Sequence, residues 1–306
     1  MNSVLIVGTG LIGASVGLAL KAAGCTAQIV GFDPSGHELE VALTRGAADS
    51  VVRSRVAALE AAPHVDLVLL ATPVLAVLDW MRLLVPVLGE HQLITDVGST
   101  KLQIARAAIE LYNQPGRASF LPGHPMAGKE SGGAELAEAR LFQNAMWLLT
   151  PIERLAPSDP LAHLRGGVPD LSGRAVNLEA EWRTWIGLMG ARTRDLDPAH
   201  HDELCALVSH LPQMLSTALA ALLEERCGAD EQMRAEIAAI GGRALRETTR
   251  LGASPYSMWR DVALTNTEPI AETLHALEQV LAHLRENLRT PELRALFNEA
   301  NRFREH

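Results

Sequence analysis

The chain has 306 residues, 48% hydrophobic and 21% charged, with a formal net charge of -9. That length accommodates two ordinary domains, and the acidic balance disfavours nucleic acid as a main partner. Three isolated cysteines, Cys25, Cys205 and Cys227, offer neither a disulfide scaffold nor a CxxC metal pair, and they fit a reducing compartment. No basic segment precedes an apolar one at the N-terminus, so no signal peptide is expected. Leu67 to Leu78, read as the longest uncharged apolar stretch, is too short to span a bilayer and contains Pro73. These readings place the chain in the cytoplasm, away from membranes, with no metal cluster in view.

Val4 to Val7 is an apolar run that predicts a buried strand. It runs into Gly8-Thr9-Gly10-Leu11-Ile12-Gly13, and a compact helical pattern follows as far as Gly24. Gln28 to Phe32 predicts the next strand, and Asp33 follows it. Strand, glycine turn, helix, strand and acid together form a dinucleotide fingerprint. Gly8 allows the tight turn, Gly10 lets the backbone approach a pyrophosphate, and Gly13 lets the helix pack on the strand. Amides at the helix start, at Leu11 and Ile12, are the pyrophosphate donors. Asp33 lies twenty residues after Gly13. It can bond the adenosine ribose hydroxyls, and its charge repels a 2′-phosphate. NAD is therefore preferred over NADP, while FAD on the same fingerprint stays open.

Glu38 to Arg45 reads as a short helix stopped by Gly46. Asp66 to Ala71 predicts a strand ending in Thr72-Pro73, at the edge where open parallel sheets bind ligands. Pro73 can open the next helix, with Leu75, Leu78 and Trp80 helping to bury it. Gln92 to Thr95 predicts a strand, Lys101 to Leu111 a helix, and Ala145 to Leu149 a last strand. This alternation gives an α/β fold. Pro and Gly punctuate residues 157–173. Leu178 to Met189 reads as a helix and Arg192 to Leu196 as a short extended piece. After Asp197-Pro198 the runs His201 to Arg226, Asp230 to Leu251 and Pro269 to Leu288 all read as helical. The expected division is a Rossmann-type NAD(P)-binding domain over 1–156 and a helical domain over 157–306. Helices this long and apolar favour burial between two subunits, although packing inside a monomer gives the same pattern.

His124, in Gly123-His124-Pro125-Met126-Ala127-Gly128, is the strongest candidate for chemistry. Histidine titrates near neutral pH and can take a hydroxyl proton while hydride leaves the same carbon. Ser99, in Asp96-Val97-Gly98-Ser99-Thr100-Lys101, can bond a substrate alcohol or cap the following helix. Lys101 either reaches an anion or is solvated. His210 reads as a core histidine, and Gln213, three residues on, can offer an amide to a substrate. His201 beside Asp202 reads as part of a helix start, and His200 as solvent-facing. Arg250, before a loop, is the best anion binder in the helical half, ahead of Arg243, Arg246 and Arg260.

These motifs resemble the prephenate/arogenate (cyclohexadienyl) dehydrogenases of tyrosine biosynthesis. The resemblance spans nearly the whole chain. It rests on the GTGLIG turn, Ala71-Thr72-Pro73, the DVGSTK and GHPMAG segments, Leu149-Thr150-Pro151, Val208-Ser209-His210-Leu211-Pro212 and Trp259-Arg260-Asp261. It implies an N-terminal NAD(P) domain, an all-helical C-terminal dimerisation domain, and oxidative decarboxylation of a cyclohexadienyl substrate. It implies that His124 takes the ring-hydroxyl proton, Ser99 bonds that hydroxyl, and Arg250 grips the ring carboxylate. His210 is implied in a supporting role, and Thr72 and Pro73 border the cofactor. Some prephenate-using relatives carry a second histidine where this chain has Gln213, so arogenate or dual use stays open. Tyrosine is expected as an active-site inhibitor, and no fused mutase or regulatory domain is expected. Another two-domain NAD(P) oxidoreductase and a non-enzymatic NAD-sensing dimer are the competing readings.

Overall fold

The computed structural model describes residues 1–152 and 174–305; the punctuated stretch 157–173 and the expected boundary at 156/157 lie outside the described residues. The first half holds β1 (Ser3–Val7), α1 (Leu11–Ala22), β2 (Gln28–Phe32), α2 (Gly36–Thr44), β3 (Ser50–Val52), α3 (Arg55–Ala61), β4 (Leu67–Leu70), α4 (Val74–Leu84), β5 (Leu93–Asp96), α5 (Leu102–Tyr112) and β6 (Ser119–Leu121). Its sheet is parallel, in the order β3-β2-β1-β4-β5-β6. β3 and α3 are too short to show a hydrophobic period in the sequence. The strand order reverses between β1 and β4, the switch point where such sheets bind nucleotides.

Successive side chains of a strand point to opposite faces, and here both faces are covered. Val4 and Ile6 pack with Leu67 and Leu69 on one side. Leu5 and Val7 pack with Val68 and Leu70 on the other, against Val77, Trp80, Met81 and Leu84. The buried stripe of α4 includes Trp80 as expected, together with Val74, Val77, Met81 and Leu84, while Leu78 packs partly buried at its edge.

The segment expected as the last strand leaves this sheet. β7 (Gly123–Pro125), β8 (Met146–Leu149) and β9 (Arg192–Asp195) form a separate three-stranded sheet, with β7 antiparallel and β9 parallel to β8. His124 therefore sits on a strand, opposite Leu148, and not on a loop. α6 (Arg174–Leu188) packs Leu178, Trp182 and Ile186 into the first apolar layer, where Trp147 and Trp182 meet edge to face at 5.8 Å. The sequence assigns α6 and β9 to the second half; their packing partners are in the first.

The helical half runs through α7 (Pro198–Cys205), α8 (Leu211–Cys227), α9 (Glu231–Ile240), α10 (Gly242–Thr249), α11 (Tyr256–Thr265), α12 (Thr267–Glu286) and α13 (Glu292–Arg304). Asp197 caps α7 by accepting from the Ala199 and His200 amides, with Pro198 at the first helical position. One continuous helix was expected over His201 to Arg226. A stretch of π-helix, Ala206–His210, interrupts it just before Pro212, which lacks the amide a regular helix needs there. The whole run Pro198–Cys227 is longer than Leu67 to Leu78 and is apolar enough by length and composition to cross a membrane. It nevertheless buries His201, Asp202, His210 and Gln213 among polar partners.

Two carboxylates of the helical half cap helices of the nucleotide half. Neither α4 nor α5 has a side-chain cap from its own N-cap residue. Asp202 accepts from the Lys101 and Leu102 amides at 2.7 and 2.9 Å, and Asp261 accepts from the Leu75 amide at 3.2 Å. Each places a negative charge at the positive end of a helix dipole.

Candidate active site

The glycine turn is shaped by close approach. Gly8 has φ +95°, and a Cβ there would lie 2.4 Å from the Ala71 carbonyl oxygen. A Cβ on Gly13 would lie 1.9 Å from the Gly8 oxygen. Gly10 faces open space, and α1 begins with neither a side-chain cap nor an acid in its first turn. Its first amides, from Leu11 and Ile12 onward, are left for an anion. The Thr9 and Thr72 hydroxyls beside the turn are buried without partners, and Pro73 opens α4. Asp33 accepts from the Thr9 amide at 2.9 Å and the Ser35 amide at 2.8 Å. Burial raises its pKa, and the two amides oppose that shift. This cradle fits a dinucleotide, with Asp33 fixed where a ribose would lie.

Beyond the ends of β4 and β5 the polar groups converge. His124 Nδ1 lies 3.0 Å from His201 Nε2, and His201 Nδ1 lies 2.8 Å from Asp202 Oδ1. Ionised Asp202 can only accept, so His201 carries its proton on Nδ1 and presents a lone pair on Nε2. His124 must then donate from Nδ1, which leaves the lone pair of its Nε2 free. His124 is 8% exposed, whereas His201 is completely buried. Burial, then the neighbouring His201, Lys101 and His210, holds His124 well below the ordinary 6.5, so it is neutral at neutral pH. Burial also lowers His201, against the pull of Asp202.

Under this chain lies an ion pair between Lys101 and Asp96, both fully buried. Asp96 also accepts from the Gly98 amide at 2.7 Å and the Gly123 amide at 3.2 Å, so it fixes the backbone immediately before His124. Burial lowers the Lys101 pKa, against the charge of Asp96. Lys101 is thus neither solvated nor free for a ligand. Ser99 does not cap α5, because Asp202 occupies that role; its half-buried hydroxyl makes no hydrogen bond among the described residues.

His210 is buried against Trp259, with ring centroids 5.8 Å apart. Its Nδ1 lies 3.1 Å from Asn266 Nδ2, which also donates to the Asp202 carbonyl at 2.9 Å. The Nε2 atom has no partner, and burial pushes the pKa down to about 4. Gln213 donates to the Leu251 carbonyl at 2.7 Å and accepts from Ser254 at 3.2 Å. Its amide holds the turn that carries Arg250 and is not turned towards a substrate. Arg250 pairs with Glu130, five residues beyond Pro125 at the end of β7. Arg243 pairs with Glu247 and Arg260 with Asp261, each within its own helix, whereas Arg250 alone of the three reaches across to the nucleotide half.

His124, His201, Asp202, Lys101 and Asp96 therefore form one network, with Arg250 reaching the segment that follows β7. His201 and Asp202 are the residues sequence reading underrates. Asp197-Pro198 fixes where α7 starts, and that signal could have placed both within its first five residues.

The family description "Prephenate dehydrogenase, nucleotide-binding domain" matches residues 16–176, and "Prephenate dehydrogenase, dimerization domain" matches residues 197–300. The chain is 31% identical to a prephenate dehydrogenase of Lactococcus lactis over 94% of its own length and 70% of the relative's. It is similar to the crystal structure of an Aquifex aeolicus prephenate dehydrogenase in complex with hydroxyphenyl propionate and NAD+. There the TM-score is 0.78 at 25% identity, covering 100% of this chain and 95% of the other. Against a Synechocystis arogenate dehydrogenase the TM-score is 0.72 at 28% identity, covering 99% of both chains.

Proposed function

The chain belongs to the prephenate dehydrogenase family, and we propose that it catalyses NAD-dependent oxidative decarboxylation of prephenate to 4-hydroxyphenylpyruvate. Arogenate is accepted as well, giving tyrosine. The observation that carries this reading is the buried run Asp202–His201–His124, because it fixes which nitrogen of His124 is free.

Bound NAD+ supplies the hydride acceptor. Gly8, Gly10 and Gly13, the first amides of α1, Thr72 and Asp33 hold it. His124 Nε2 accepts the ring-hydroxyl proton as the carbon bearing it is oxidised. The resulting imidazolium donates more strongly from Nδ1 to His201, whose own Nδ1–H is held by Asp202. Ser99 bonds the ring hydroxyl and steers it to His124. Arg250 holds the ring carboxylate. Its guanidinium is 58% exposed beside Glu130 and has five N–H donors, so the ion pair leaves several for a ligand. The C–C bond to that carboxylate breaks, CO2 leaves, its electron pair completes the aromatic ring, and the phenolate oxygen takes its proton back from His124. Grip that persisted equally into the transition state would not raise the rate, so Arg250 orients the carboxylate without over-stabilising it.

Gln213 supplies no full charge to the side chain of the substrate, which favours use of both the pyruvyl and the amino-acid form. His210 supports the network through Asn266 and Asp202. Tyrosine, the aromatic product of arogenate, inhibits by occupying the same cleft. The helical half pairs two chains into a homodimer, and the functional division between halves falls at Asp197-Pro198. The protein is cytoplasmic.

Initial rates of NADH or NADPH formation with prephenate and arogenate, each with NAD and NADP, test the assignment. Turnover of both substrates with NAD is expected. Turnover of arogenate alone removes prephenate, and no turnover in any pairing by folded protein moves the chain to another oxidoreductase. Unchanged rates at high tyrosine remove the inhibitor.

A further inference from the structure

His124, His201 and Cys205 bring three soft donors together in the interior. His124 Nδ1 and His201 Nε2 are 3.0 Å apart, and Cys205 Sγ lies 3.5 Å from His201 Nε2 and 3.9 Å from His124 Nδ1. Cys205 stands one helical turn after His201, whereas His124 comes from β7. The i,i+4 spacing of His201 and Cys205 is local, but nothing in the sequence brings His124 to them.

We propose that His124 Nδ1, His201 Nε2 and Cys205 Sγ form a site for a thiophilic divalent cation such as Zn²⁺, and that occupancy switches the base off. Tetrahedral zinc with ordinary bond lengths sets nitrogen–nitrogen edges of roughly 3.3 Å and nitrogen–sulfur edges of about 3.6 Å. The three separations here lie within about 0.4 Å of those edges, so the donors need only small shifts. The second shell is already built. His201 Nδ1 is held by Asp202, the carboxylate–histidine arrangement that aims the other nitrogen at a metal. Charge also balances. Asp96, Asp202 and Lys101 leave one net negative charge beside the cluster, and a Cys205 thiolate makes it two, which a divalent cation neutralises. Water or a substrate oxygen can complete the coordination.

Proton bookkeeping gives the consequence. Cys205 releases its thiol proton to solvent as the sulfur–metal bond forms. His201 keeps its proton on Nδ1 and gives the lone pair of Nε2. His124 must give up Nδ1, so its proton moves to Nε2, the nitrogen proposed above to accept from the substrate. Binding thus removes the acceptor lone pair without displacing the imidazole. The site itself rests on geometry; its effect on turnover rests on the reading of His124 as the base.

Titration of the full chain with Co²⁺, followed by absorption, tests the site without any need for turnover. The expected result is a thiolate-to-cobalt charge-transfer band with tetrahedral visible bands, saturating at one ion per chain and displaced by Zn²⁺. Cys205→Ser and Cys205→Ala, with Cys25 and Cys227 retained and folding checked by circular dichroism, should lose the charge-transfer band. Absence of the band in the unsubstituted chain, or its persistence in either folded variant, overturns the site. In the rate assay, Zn²⁺ should inhibit the unsubstituted chain reversibly on chelation. Cys205→Ala should need at least about tenfold more Zn²⁺ for the same inhibition, as expected on losing one of three ligands. Equal sensitivity overturns the switch. A cobalt spectrum in a chain that turns over neither substrate would leave the site standing and remove the proposed function instead.

Discussion

The two halves of the molecule bury their apolar side chains differently. Every residue of β4 and β5 is buried, and both faces of the parallel sheet are covered by its own helices. In the helical half, α9, α10 and α13 have no fully buried residue, and Ile240, Phe303 and Tyr256 are 83%, 81% and 78% exposed. A surface so apolar is built to be covered, which is why pairing with a second copy is proposed for it. Yet this dependent half supplies His201, Asp202 and Arg250. The proposed base, His124, comes from the self-sufficient half, and its hydrogen-bond partner His201, held in turn by Asp202, comes from the other.

The comparison breaks most severely at His124. If the chemistry is seated in the nucleotide half, His124→Gln should lower kcat by roughly 10²- to 10⁴-fold, the usual worth of a positioned base. NAD affinity, measured by fluorescence titration, should be unchanged, since His124 is not part of the glycine cradle. Loss of NAD binding together with kcat would place His124 in the cofactor site instead.

Asp202 sharpens the comparison from the other side. Asp202→Ala removes a helix cap and the partner of His201 together, so a stability loss of about 2 kcal/mol is expected in denaturant titrations. Asp202→Asn keeps the shape but can offer His201 a donor. Its kcat should fall more than its stability does, with KM for NAD little changed. Equal losses from both variants would make Asp202 purely structural.

The next effect belongs to the nucleotide half alone. Asp33→Ser removes the charge proposed to face the ribose, and the ratio of kcat/KM for NAD over NADP should fall by about tenfold or more, since one charge contact is worth over a kilocalorie. An unchanged ratio would mean that another group selects the cofactor.

The last comparison is of pH dependence, which draws on histidines from both halves. His210 titrates at about 4 in the fold, against an ordinary 6.5. Between those values the unfolded chain binds a proton that the native chain does not. Stability is therefore fully present above pH 6.5 and declines as pH falls towards 4, by up to roughly 1.4 kcal/mol per unit for such a group. His124 and His201 are shifted in the same direction and should add to the decline. Denaturation midpoints measured from pH 7.5 to 5 would test it, and a flat profile would show that these histidines take up protons in the native state as readily as in the unfolded chain. On the same ground kcat/KM should be level above pH 6.5.

What the sequence disclosed follows from how local each signal is. The glycine turn, the strand before it and Asp33 lie within one contiguous stretch, and their spacing encodes contacts such as Gly13 against Gly8. His124 was visible through its flanking glycines, but its strand pairing with Leu148 was not, because three residues are too few to show alternation. The His124–His201 contact joins positions 77 apart in the chain, and no period or cap predicts it. Lys101 reads as either reaching an anion or solvated; the choice is made by burial against Asp96, five residues back at the end of β5. Gln213 was legible as a departure from a family pattern, while its actual partners, Leu251 and Ser254, were set by the fold of a distant turn.

Asp202 and Asp261 begin helices that belong to the opposite half. Those helices borrow their first-turn acceptors from across the cleft. The two halves should therefore lose structure as one cooperative unit, with the amides of Leu75, Lys101 and Leu102 protected from hydrogen exchange to the same extent as the core of the helical half.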